Sequence, residues 1–138
     1  MRKHLSWLSS NALERCSHER VGDMKILLTG SEGQLGRALR GSLPQVLQNS
    51  SVELIATSRS GGDGLVALDL ADADACRVAV FESKPDWVIN AGAYTAVDRA
   101  ETEPELAHAV NALAPRAFAE VLAQTGGRLL QVSTDFVF

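Results

Sequence analysis

Gly30, Gly33 and Gly36 follow the apolar run Ile26, Leu27 and Leu28 at once, and their spacing is G-x-x-G-x-x-G. A continuous apolar run of this kind fits a strand buried on both faces. Glycines directly after such a strand allow a sharp turn, a close approach of backbone to a ligand and tight packing of the next helix. The chemistry this offers is anion binding, because a helix N-terminus presents unpaired N–H groups and the positive end of its dipole. Gln34 and Leu35 complete the turn and are candidate cofactor contacts with the three glycines. The spacing has one residue more between its first two glycines than the G-x-G-x-x-G dinucleotide fingerprint, and turn formation alone could account for it. No Gly-Lys-Ser/Thr follows, which argues against a P-loop.

Further along, Ser58 and Arg59 end a second apolar segment, at about the distance from the glycine turn where a dinucleotide fold reads the ribose. An acid there would bind the 2′-hydroxyl of NAD. A guanidinium suits the 2′-phosphate, so NADPH is favoured over NADH; the alternative is a solvated loop arginine. Asp69, followed by Leu70, could accept from the exocyclic amine of adenine, cap the next helix, or do both. Ala91, Gly92 and Ala93 are small enough for a cofactor to lie against, or are simple turn residues, and Tyr94 and Thr95 continue that cluster. Thr134 carries a hydroxyl that could polarise a carbonyl for hydride attack or merely satisfy loop backbone. Asp98, Glu101, Glu103 and Glu105 complement a helix dipole.

The elements that must position these groups alternate between strand and helix. Gln34 to Leu43 carries Leu35, Leu39 and Leu43 at helical spacing, with Pro44 as its stop and a polar loop from Gln45 to Ser51. Val52 to Thr57 reads as a second strand and Leu65 to Leu68 as a short third one. Ala71 to Ser83 reads as a helix with Val78, Val80 and Phe81 inward, before Pro85. Asp86 to Ala91 is a fourth strand. Val97 to Gln124 is a long helix interrupted near Thr102 and Pro104, with Leu106, Val110, Leu113, Phe118 and Leu122 on its apolar face and Gly126 and Gly127 as its end. Arg128 to Val132 is a fifth strand. The pattern predicts an α/β, doubly wound parallel sheet of Rossmann type, in which ligands bind at the carboxyl ends of the strands. Thr29 to Gly36, Ser58 and Arg59, Asp69 and Leu70, Asn90 to Thr95, and Ser133 to Asp135 all fall at such ends and would converge on one crevice, which strengthens the dinucleotide reading.

The 138 residues allow one domain, with 46% hydrophobic and 22% charged residues and a formal net charge of −4. That acidic balance argues against nucleic acid as a partner, and no apolar run is long enough for a membrane span. Cys16 and Cys76 are far apart and His4, His18 and His108 are scattered, so no metal is expected and a reduced, cytoplasmic chain is the simplest reading. Residues 1–23 are expected to be a disordered extension ahead of a dinucleotide-binding domain at 24–138, with Met24 as an alternative start. Phe136, Val137 and Phe138 would leave apolar side chains uncovered, so the natural chain is expected to continue past them.

With these residues in view, the chain resembles the extended short-chain dehydrogenase/reductases. Lys25 to Gly36, the block Val88 to Glu105, Val110-Asn111-Ala112 and Ser133 to Phe138 carry the likeness, and Asn90 to Glu101 is its most specific part. The resemblance implies reduction of a dTDP-linked 4-keto sugar, dTDP-4-dehydro-L-rhamnose, by NADPH or NADH. Thr134 would then belong to a Thr/Tyr/Lys catalytic set, with Asp135 near the substrate. Three features depart from the family pattern. No Tyr-x-x-x-Lys pair and no sugar-gripping part occur within the chain, Phe136 replaces a tyrosine, and Ala38 stands where some relatives bind Mg²⁺ through a glutamate. A homodimer is compatible with the resemblance, and the sequence does not fix the oligomeric state. Two other readings share the cofactor site: a non-catalytic NADP-binding regulatory subunit, and a sugar-nucleotide epimerase or dehydratase of the same family.

Overall fold

A computed structural model describes residues 24–47 and 51–133. Strand β1 (Met24–Thr29) is buried from Ile26 onward, with Met24 and Lys25 half-buried, as its apolar run requires. Helix α1 (Gln34–Val46) follows the glycine turn, then β2 (Val52–Ser58), β3 (Val66–Ala67), α2 (Ala73–Ser83) and β4 (Trp87–Asn90). Two short helices, α3 (Val97–Ala100) and α4 (Pro104–His108), lead into a π-helical turn at Ala109–Leu113 and then α5 (Ala114–Thr125), and β5 (Arg128–Gln131) closes the described fold.

All strand pairs are parallel, in the order β3-β2-β1-β4-β5. The chain moves outward from β1 to β3, then returns to the other side of β1 for β4. That reversal between β1 and β4 is the topological switch point at which open α/β sheets hold ligands. The doubly wound expectation is met.

Residue alternation assigns the faces. Leu27 pairs in register with Ile55 and Val88, and Val88 with Leu129, so these four share one face. They pack with Cys76 and Val80 of α2 and with Ala114, Ala117, Phe118, Val121 and Leu122 of α5. Full burial of a side chain such as Phe118 or Leu27 contributes about 1.5–3 kcal/mol. Ile26 and Leu28, one step out of phase, are buried on the opposite face, toward which a right-handed β1–α1–β2 crossover runs.

Four local expectations change. Pro44 does not end α1, which runs to Val46; the proline is exposed in the last turn, where water can take the carbonyl its missing N–H leaves free. In α2 the inward residues are Cys76 and Val80, four apart, whereas Val78 and Phe81 are exposed. The third strand shrinks to Val66 and Ala67, bounded by a turn whose Gly61, Gly62, Asp63 and Gly64 all have positive φ. The long helix over Val97 to Gln124 breaks at Glu101–Glu103, where an interruption was expected, but it breaks a second time at the π-helical segment, which rotates the apolar stripe and leaves Leu113 partly exposed.

Candidate functional site

The turn after β1 is held by backbone contact. Gly30 has φ +65°, and a Cβ built on it would collide with the main chain of Ala91 and Gly92, so two strand-end turns touch there. Gly36 lies equally tight: its Cβ would run into the carbonyl of Gly30 and, at 2.7 Å, the Cα of Ser31. Both glycines are demanded by the fold.

Gly33 is different. Its backbone is extended, with φ −71° and ψ 171°, a conformation open to any residue. A Cβ there would meet only the Gly30 carbonyl oxygen, at an ordinary 3.4 Å. Gly33 is the N-cap of α1, contributes no side-chain cap, and no acid occupies the first helical turn. Neither dihedral nor packing asks for glycine at this position. The small residue keeps the space in front of an uncapped, 13-residue helix clear, as an approaching pyrophosphate requires.

The polar groups behind the turn are all satisfied. The Ser31 hydroxyl donates to the Leu28 carbonyl at 3.1 Å and its N–H to the Thr57 carbonyl at 3.2 Å, while the Thr57 hydroxyl also donates to Leu28 at 3.3 Å. Asn90, fully buried, accepts from the Thr29 hydroxyl and the Gly92 N–H and donates to Gln131 at 2.7 Å. One side chain thus ties the ends of β1, β4 and β5 together, and no buried side-chain polar atom among the described residues lacks a partner. Rigid walls of this kind are what a binding site needs.

These turns surround a crevice of about 170 Å³ at the carboxyl ends of β1, β2 and β4. Of the residues singled out from sequence, Gly30, Gly33, Ser58, Arg59, Asp69, Leu70, Gly92 and Ala93 line it together. Gln34 and Leu35 form the exposed start of α1, and Gly36 is buried beneath it. Ala91, Tyr94 and Thr95 belong to the flanking loop, outside the crevice wall. Thr134 and Asp135 lie outside the described residues, as do Cys16, His4 and His18.

The Ser58 hydroxyl is buried and accepts from the Gly61 N–H at 3.0 Å, bracing the loop that carries Arg59. Arg59 is exposed, with its Nε 3.7 Å from Asp69 Oδ1. Asp69 does not cap α2. Its Oδ1 accepts from the Ala71 N–H at 3.0 Å, and the cap is Asp72, which accepts from Asp74 and Ala75 at 3.0 and 2.9 Å. The acids near α3 and α4 are not all dipole complements either. Glu103 accepts from the Tyr94 hydroxyl at 2.5 Å and pairs with Arg99 at 2.9 Å, and these two partners hold its carboxyl below the usual range. The same contact raises the Tyr94 phenol above its ordinary value, which unsuits it as a proton donor.

Ser31, Glu32 and Leu68 also line the crevice without having been singled out as site residues, and two contributors from the π-helical turn were not singled out either. Asn111, on the π-helical turn, accepts from the Tyr94 N–H at 2.8 Å and donates to its carbonyl at 3.1 Å, fixing the loop beside the crevice. Val110, next to it, forms part of the crevice wall. A break in helical phase is invisible to a pattern of apolar residues, so neither role could be read from periodicity. A larger hollow of about 630 Å³ lies outside α2 and α5, but its arginines are already engaged: Arg77 with Asp74 and Glu120, at 2.8 and 2.9 Å, and Arg116 with Glu120 at 2.7 Å. Cys76 is fully buried, with its thiol pushed up to about 11 chiefly by that burial, and is no nucleophile. No helix among the described residues is long and apolar enough to cross a membrane.

Comparison with known proteins agrees with this geometry. The chain is 43% identical over 112 residues to a dTDP-4-dehydrorhamnose reductase of Streptomyces griseus, an alignment covering 81% of this chain and 34% of that protein. Among solved structures, a dTDP-4-dehydrorhamnose reductase from Bacillus anthracis in complex with NADP superposes with a TM-score of 0.70 at 30% identity, covering 84% of this chain and 38% of that one. An ortholog of the same enzyme from Clostridium acetobutylicum gives 0.69 at 39% identity, over 83% of this chain and 38% of its own. The chain spans about a third of the length of the curated relatives it matches. Residues 24–138 match the family described as RmlD substrate binding domain, and the chain belongs to that family.

Proposed function

We propose that this chain is the dinucleotide-binding part of a reductase that uses NADPH, with NADH as a weaker alternative, to convert dTDP-4-dehydro-L-rhamnose to dTDP-L-rhamnose. The observation that carries the reading is Gly33, a glycine that the fold itself does not require, placed before an uncapped helix at the topological switch point. The relatives' names and the NADP complex of the Bacillus anthracis protein support the substrate class and the cofactor.

Bound in the crevice, the dinucleotide would supply hydride to the sugar ketone. The chain's own residues do the holding. The α1 N-terminus and the Gly30–Gly36 turn receive the pyrophosphate, Arg59 offers its guanidinium to the 2′-phosphate, and Gly92 and Ala93 keep the neighbouring wall low. Thr134 and Asp135 are proposed to contact the sugar, with the Thr134 hydroxyl donating to the ketone oxygen as negative charge builds there. A hydroxyl of that kind is too weak an acid to act as sole proton donor, and Tyr94 is committed to Glu103. Turnover therefore requires a proton donor beyond these residues. A homodimer and a cytoplasmic setting accompany the reading.

Arg59→Ala tests it. The variant should weaken NADPH binding by about 1.5–3 kcal/mol, roughly 10- to 150-fold, the range of a hydrogen bond to a charged group, and leave NADH almost unchanged. Titration calorimetry with both cofactors reads this directly, and equal losses for the two would remove Arg59 from the 2′-phosphate site.

A further inference from the structure

Resting on the reading above, we propose that Asp69 sets the choice between phosphorylated and unphosphorylated dinucleotide by holding Arg59 in competition with the 2′-phosphate. Among the described residues Arg59 is the single basic residue lining the crevice, against the two acids Glu32 and Asp69. Its availability therefore decides how strongly the site favours the more negative ligand. In the free protein that guanidinium leans on Asp69, Nε to Oδ1 3.7 Å, with the two side chains 69% and 47% exposed. A loose, solvated pair of this kind is weak, so a phosphate can displace it, but its energy is subtracted from what the phosphate gains. NADH leaves the pair intact and loses nothing. Asp69 thus narrows the preference for NADPH without touching the pyrophosphate site, and it acts on specificity only through Arg59.

Asp69→Asn separates this role from the others the residue could have. The amide oxygen can still accept the Ala71 N–H that Oδ1 now accepts at 3.0 Å, so the turn into α2 is kept while the charge is removed. The ratio of NADPH to NADH association constants is measured by calorimetry on the whole chain for wild type, Asp69→Asn, Arg59→Ala and the double variant. The ratio should rise about two- to fivefold in Asp69→Asn, the range of an exposed ion pair, and should not rise when Asp69→Asn is added to Arg59→Ala. An unchanged ratio with parallel losses for both cofactors would overturn the proposal and make Asp69 an adenine contact. A rise of equal size in the Arg59→Ala background would also overturn it, by showing direct repulsion of the phosphate. Failure of the wild-type chain to bind either cofactor would sink the dinucleotide reading and this inference with it, whereas binding with an unmoved ratio sinks the inference alone.

Discussion

Two glycine-rich turns follow neighbouring strands of this sheet, and their glycines answer to different demands. In the turn after β1, Gly30 and Gly36 are pressed against main chain, so that the smallest side chain would displace backbone. In the turn after β2, Gly62 and Gly64 have φ of +90° and +79° with nothing within 4 Å of a built Cβ. Gly36 needs to be glycine for space alone and Gly62 and Gly64 for their dihedral angles alone, while Gly30, at φ +65°, needs both. The position of the first turn is set by contact with the adjacent strand end rather than by local geometry alone, which gives a pyrophosphate a rigid seat.

Substitutions can break that contrast in order of size. Gly36→Ala should be the most damaging, at about 3 kcal/mol or more, because the new methyl meets the Gly30 carbonyl and Ser31 backbone, neither of which can move without shifting β1. Urea denaturation measures it, and a loss below about 1 kcal/mol would mean that the turn is not packed as described. Gly62→Ala should cost only about 1–2 kcal/mol, the strain of a left-handed residue, and leave cofactor affinity as it was. Gly41, inside α1 with open space around it, should behave in the reverse sense: Gly41→Ala is expected to stabilise by about 0.5–1 kcal/mol, visible as a small rise in Tm. Three glycines would then give three different responses from one residue type.

That contrast also marks what could be read before the fold was known. Strand and helix order, the parallel sheet and the convergence of Gly30, Arg59, Asp69 and Gly92 followed from apolar runs and punctuation, because those signals are local. The requirement at Gly36 was legible as tight packing, but its cause, the carbonyl of Gly30, was not. Val78 and Phe81 were misplaced because a helix of mixed polarity offers several stripes, and only contact with α5 selects the one through Cys76 and Val80. The Asn90 network and the Asn111 clamp on Tyr94 join residues 41 and 17 positions apart, pairings that no window along the chain contains. A helix cap was one of two roles open to Asp69 because three acids stand within six residues, and backbone geometry gave that task to Asp72.

Gly33 tests the central claim most directly, since it is the member of the first turn that the fold leaves free. Val at the N-cap lacks a capping group, so Gly33→Val should lower stability by no more than about 1 kcal/mol, while its γ-carbons stand in the space before the α1 N-terminus. NADPH titrated calorimetrically into folded wild-type and variant chains should bind the variant at least tenfold more weakly, with NADH reduced to the same degree because both carry the pyrophosphate. A folded Gly33→Val chain with unchanged affinity for both cofactors would contradict the account, and would move the dinucleotide away from this turn.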